Sequence, residues 1–173
     1  MKIAVIGTLD TKSAEVGFVR DQIIALGATP IVIDPGILGE PSIHADVTRT
    51  EIALAGGEAL ADLIARKDKG HAHSVMIAGL VNVVSQLYAK GEIQGIISIG
   101  GAQGTAIATA AMRALPVGVP KVMVSTIACG KATFGPYVGT KDVTMIHSVA
   151  DISGLNRVTL RIMAQAAHAV VAM

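Results

Sequence analysis

The stretch Gly95-Ile96-Ile97-Ser98-Ile99-Gly100-Gly101-Ala102-Gln103-Gly104-Thr105 constrains this chain more than any other. Ile96, Ile97 and Ile99 form a β-branched run without charge, as a strand buried on both faces requires, and the run stops at a glycine pair. Ala106 to Arg113 then supplies helix formers, with no breaker before Pro116. A strand, a glycine-rich turn and a helix start in succession make an anion cradle, because glycine admits close backbone approach while free N–H groups and the helix dipole face the ligand. Glycines at such a turn also serve a plain strand-to-helix connection, so the loop alone supports both readings.

The remainder of the chain repeats the pattern. Short apolar strands are expected at Lys2 to Ile6, Thr29 to Ile33, Lys121 to Ser125 and Val143 to Ile146. A helix after Ser13 carries Val16, Val19, Ile23, Ile24 and Leu26 and is closed by Gly27. Further helices are expected over Glu51 to Lys69, Ser74 to Lys90 and Leu155 to Val171, with the polar Lys67 to His71 run separating the first two. Ile37 to Thr50 and Thr126 to Asp142 read as long connections, which are more often functional than inert. Alternating strands and helices imply a doubly wound, mainly parallel sheet, a Rossmann- or flavodoxin-like three-layer α/β sandwich with the flavodoxin strand order. At 173 residues the expectation is one domain over 1–173.

Composition narrows the function classes. The chain is 51% hydrophobic but 2% aromatic, so its apolar mass is aliphatic and suits a tightly packed parallel sheet under alanine-rich helices. Val75 to Val84, interrupted by Gly79 and Asn82, falls short of the roughly 18 apolar residues of a membrane span, and the N-terminus begins a strand rather than a signal peptide. A cytoplasmic location is therefore expected. A net charge of +1 without a basic stripe argues against direct nucleic-acid binding. Only 16% of residues are charged, which implies that part of the exterior is covered by another subunit or domain, a homo-oligomer being one form of this. The single cysteine, Cys129, excludes an intrachain disulfide.

In a doubly wound sheet the ligand lies beyond the carboxyl ends of the strands, where the winding reverses. That rule sets Gly7-Thr8-Leu9-Asp10-Thr11-Lys12 opposite Gly100-Gly101-Ala102-Gln103-Gly104-Thr105. Hydroxyls, an acid and a lysine would then face backbone donors, a combination suited to a phosphorylated ligand with Lys12 as cation and Asp10 on a metal ion or hydroxyl. Asp10 as a helix cap with a solvated Lys12 is the alternative. Asp34 stands where a ribose-binding acid sits in Rossmann proteins, and equally where a turn before Pro35 calls for Asp. Ser125, Thr126, Gly130 and Lys131 follow the fourth strand and could add phosphate or ribose contacts. Gly7 to Ser13 lacks the last glycine of a Walker A loop, and no G-x-G-x-x-G turn is present. Cys129 lacks a paired histidine; His71 and His73 fall in a polar linker and read as solvated; His147 could reach the crevice or pack. Asp151 and Asn156 read as caps or flanks of the closing helix. No triad or acid–base pair is recognisable, so no catalytic residue is assigned.

Gly7 to Lys12, Gly100 to Ala106, Ala110 to Lys121 and Pro136 to Asp142, taken in order, resemble the ATP-binding domain of the tomato mosaic virus resistance protein and its bacterial relatives. The resemblance spans nearly the whole chain and implies a nucleotide-binding module with ATP and Mg²⁺ as ligands. Members of that family usually continue into a second, TIM-barrel-like domain, whereas this chain stops at Met173; it is read either as an excised domain or as a separately encoded half, whose implied partner is a separately encoded second domain or subunit. The chain differs at Ala102 and Gln103, where small residues of a Gly-Ser-Gly-Gly-Thr type loop are expected. Two other functions fit the same residues: half of a metabolic enzyme acting on a small phosphorylated or carboxylated metabolite, and a scaffold whose crevice is vestigial.

Overall fold

The computed structural model describes residues 1–130 and 134–173. Its elements run β1 (Lys2–Ile6), α1 (Leu9–Ala25), β2 (Thr29–Ile33), α2 (Arg49–Ala55), α3 (Leu60–Arg66), α4 (Lys69–Ala89), β3 (Gly95–Gly100), α5 (Ala102–Ala114), β4 (Lys121–Ser125), α6 (Gly135–Val138), β5 (Thr144–His147) and α7 (Arg157–Ala172). The five strands are all parallel in the order β2-β1-β3-β4-β5, the flavodoxin order expected from the alternation.

Strand periodicity divides the core in two. Ala4, Ile6, Ile96 and Met123 face α2, α4 and α5, whereas Ile3, Val5, Ile97, Ile99, Val122 and Val124 face α1 and α7. Both faces are covered, which is why the strands carry apolar residues at nearly every position.

Three boundaries differ from the sequence reading. α1 begins at Leu9 rather than after Ser13, so Asp10, Thr11 and Lys12 lie in its first turn, which is kinked at Lys12 with φ −130° and ψ 19°. The expected helix over Glu51 to Lys69 is broken at Gly56-Gly57, Gly57 adopting φ +101°. α4 starts at Lys69, inside the presumed linker, because the Asp68 side chain caps it by accepting the His71 N–H at 3.0 Å. α4 is also long and apolar enough to cross a membrane by length and hydropathy, which the interrupted run Val75 to Val84 did not foretell. Its Ala72, Val75, Met76, Gly79, Leu80 and Val84 are buried against the sheet, α2 and α5, as in a core helix.

Candidate functional site

The winding reverses between β1 and β3, and a crevice of about 450 Å³ opens there. Thr8, Asp10, Thr11 and Lys12 line it from the start of α1, Gly100 to Gly104 from the end of β3 and the start of α5. Pro35 to Leu38 after β2, and Lys69, His73 and Met76 on α4, complete the wall with Ile107.

Helix capping sets the electrostatics. Gly101 and Thr8, the N-cap residues of α5 and α1, make no side-chain cap bond. The first amides of a helix have no partner within it, so the uncapped start of α5 leaves N–H donors and the positive end of the dipole facing the crevice. At α1, by contrast, Leu9 N–H is taken by Asp34 Oδ1 and those of Thr11 and Lys12 by the Thr8 carbonyl. The starts of α2, α4 and α7 are closed by Thr48, Asp68 and Asn156, while those of the short α3 and α6, which do not line the crevice, also lack a side-chain cap. At α5 the fourth amide, Thr105 N–H, already bonds the Gly101 carbonyl at 2.8 Å, which isolates Ala102, Gln103 and Gly104 as the donors of the cradle.

The glycines divide into two groups. A Cβ on Gly7 would lie 2.3 Å from Val16 Cγ2, and one on Gly100 would lie 3.1 Å from Gly104 Cα, so both are required for helix-on-strand packing. On Gly101 and Gly104 the nearest atoms would be 3.7 and 3.9 Å away, so packing does not demand glycine at either position. Glycine at these two positions leaves the backbone open to the crevice.

Asp10 Oδ2 accepts the amides of Ile37 and Leu38 at 3.2 and 2.8 Å, tying the loop after β2 to α1. Oδ1 makes no bond to the protein among the described contacts. The Lys12 ammonium donates to the Ile152 carbonyl, so this cation is anchored toward the segment before α7. Thr8 and Thr11 pair their hydroxyls at 3.1 Å. Asp34 is 1% exposed and lies behind the crevice wall. Its Oδ1 accepts Leu9 N–H and Gly36 N–H at 3.0 and 2.9 Å, and its Oδ2 accepts the Arg49 guanidinium at 2.8 and 2.7 Å. With four donors in place Asp34 positions both loops instead of facing a ligand.

Thr105 and Ser125 are fully buried and pair through their hydroxyls at 2.6 Å beneath the cradle. Thr126 N–H bonds the Gly100 carbonyl at 3.2 Å, tying β4 to the glycine turn, and its side chain does not line the crevice. Neither Gly7, Cys129, His147, Asp151 nor Asn156 lines it; Asn156 caps α7, and Lys131 lies outside the described residues. His71 bonds Glu58. His73, expected to be solvated, instead lines the crevice from α4 with Nε2 buried. It was missed together with Lys69 because the helix start at Asp68 hides in a polar run, and the capping spacing Asp68 to His71 was the available signal.

Among the described residues no group of three or more His, Cys, Asp or Glu could hold a metal ion. Of the described residues, Asp10 is the one carboxylate that lines the crevice.

Comparison with known proteins matches the sequence over its whole length. The model of the uncharacterised protein family UPF0261, N-terminal domain, matches residues 1–173. A UPF0261 protein of Clostridium tetani is 49% identical over 99% of this chain, and one of Rhizobium meliloti 38% identical over the same share. This chain spans 42% of the length of each. The ToMV susceptible protein tm-1(GCR26) of Solanum lycopersicum is 35% identical over 61% of this chain and 14% of its own length. With a match from first to last residue, the chain belongs to the UPF0261 family, as its N-terminal domain.

Proposed function

We propose that the crevice between β1 and β3 binds a nucleotide through its phosphates, ATP with Mg²⁺ being the favoured ligand. The observation that carries this reading is the set of three open amides, Ala102 to Gly104, at the uncapped start of α5 on the switch point. Lys69 and Lys12 supply positive charge beside them, Lys12 after release from the Ile152 carbonyl. Asp10 Oδ1 would hold Mg²⁺ together with phosphate oxygens and water, and the ion would neutralise phosphate charge there. The residues of this chain orient the phosphates by backbone donation from Ala102 to Gly104. Because the chain spans 42% of its relatives' length, the module works with a second domain or subunit.

Isothermal titration calorimetry with Mg·ATP tests the reading. Micromolar binding is expected, with Gly104→Ala weakening it about tenfold because the added methyl holds the phosphate away from the amides of the turn. Gly104→Ala itself should raise unfolding stability by up to about 1 kcal/mol, since alanine is the better helix former and meets no atom closer than 3.9 Å. Millimolar or undetectable binding, together with no effect of Lys12→Ala, would overturn the proposal.

A further inference from the structure

His73 stands apart from the other polar groups of the crevice. Its Nε2 is buried and has no hydrogen-bond partner, whereas buried polar atoms are normally paired. α4 places it between two dissimilar neighbours on the same face: Lys69, exposed, one turn before it, and Met76, 1% exposed, one turn after. Ile107 on α5, 4% exposed, and Ile37 and Leu38 of the loop after β2 line the same crevice. The crevice thus has two chemically distinct parts. Backbone amides and threonine hydroxyls at the starts of α5 and α1 suit phosphate. Met76, Ile107, Ile37 and Leu38 are large apolar side chains of the lining, surface against which a flat ring could pack, and His73, one turn from Met76, is the lining side chain with an unmet hydrogen bond.

We infer that His73 is the specificity-determining residue of the site, its Nε2 hydrogen-bonding a heteroatom of the nucleobase while Met76 and Ile107 pack against the ring. The inference rests on the nucleotide reading and assigns the part of the ligand that the helix starts do not address. A neutral imidazole nitrogen donates or accepts according to its tautomer, so it can pair with a ring nitrogen or an exocyclic group. A site built to bond such a group discriminates against ligands lacking it, because the buried nitrogen is then left unpaired.

Two probes, Mg·ATP and inorganic tripolyphosphate with Mg²⁺, separate this inference from the reading beneath it. Wild type, His73→Ala and His73→Gln are titrated with each, after the unfolding midpoint has shown that each variant is folded. His73→Ala should weaken Mg·ATP about tenfold, the worth of one hydrogen bond to a buried partner, and leave tripolyphosphate unchanged. His73→Gln, which can return an amide nitrogen to the position of Nε2, should restore most of the loss. Should His73→Ala not fold, His73→Leu carries the same expectation. Equal weakening of both probes would assign His73 to phosphate and overturn the inference, as would no change with either. Absence of binding by both probes to wild type would overturn the nucleotide reading itself.

Discussion

At the residue scale, Lys121 and Asp142 show that a shared sequence signature need not mark a ligand. Both lie in stretches that carry the family resemblance, yet they meet at the amino end of β4, opposite to the crevice. The Lys121 side chain is fully buried and places its three protons on the Pro116 carbonyl, the Val119 carbonyl and Asp142 Oδ1 at 2.7, 2.8 and 2.8 Å. The Lys121 ammonium first, and the Gly118 N–H second, hold the Asp142 carboxyl down to about 2. A carboxyl lower in the folded than in the unfolded state adds stability above its unfolded value, near 3.8, and that contribution is lost as pH falls toward about 2. Urea unfolding between pH 4 and 2 should therefore show a steeper loss for wild type than for Asp142→Asn. At pH 7 the variant should be less stable, because a buried ammonium has lost its counter-charge. A variant as stable as wild type at pH 7, with an unchanged acid slope, would count against the latch.

The two glycines of the α2–α4 contact carry the argument at the scale of elements. A Cβ on Gly79 would fall 1.9 Å from the Ile52 carbonyl oxygen, and one on Gly56 would fall 2.2 Å from that of Val75. The helices approach backbone to backbone, so Gly79→Ala must push them apart. Overpacking of this kind costs about 1–3 kcal/mol or more, which exceeds the gain in helix propensity of about 1 kcal/mol. Thermal unfolding should show Gly79→Ala clearly destabilised and Gly104→Ala not, although both replace a helical glycine. β3 was legible because a charge-free β-branched run ending in glycine has few other uses, the other strands because each is a short apolar run set between helical stretches, and Gly27 at φ +78° closes α1 as its position predicts. α4 was legible in its apolar middle but not at its start. Lys67 to His71 has the composition of a linker, and only the bond from His71 N–H to Asp68 makes it a helix terminus. The glycine loops of the site could be read from sequence for the same local reasons. The third wall, Lys69 and His73, could not, since it depends on how α4 packs against α5.

For the whole molecule, the cleft is a consequence of winding. α1 and α7 cover one face and α2, α4 and α5 the other, so a gap opens between the starts of α1 and α5 whether or not a ligand uses it. The cleft's existence therefore discriminates little between a nucleotide site and a vestigial one; the open amides of Ala102 to Gly104 at the start of α5 discriminate more. In a vestigial site nothing opposes closing the α5 start, and an N-cap carboxylate would be simply stabilising. Gly101 has φ −80° and room for a Cβ, the nearest atom being Thr126 Oγ1 at 3.7 Å, so Gly101→Asp is sterically permitted. A cap carboxylate improves on glycine by a few tenths of a kcal/mol and gains about 0.3–1 kcal/mol from the dipole. Ligand at a hundredfold excess over its dissociation constant stabilises by about 2.7 kcal/mol, or about 5–10 °C in a domain of this size. The nucleotide reading therefore predicts opposite signs for one substitution: Gly101→Asp melts higher than wild type alone and lower in saturating Mg·ATP, because its carboxylate occupies the phosphate position. Differential scanning fluorimetry with and without Mg·ATP measures both. A variant that gains stability alone while keeping the full ligand shift would place the phosphates elsewhere, and no shift in either protein would favour the scaffold reading.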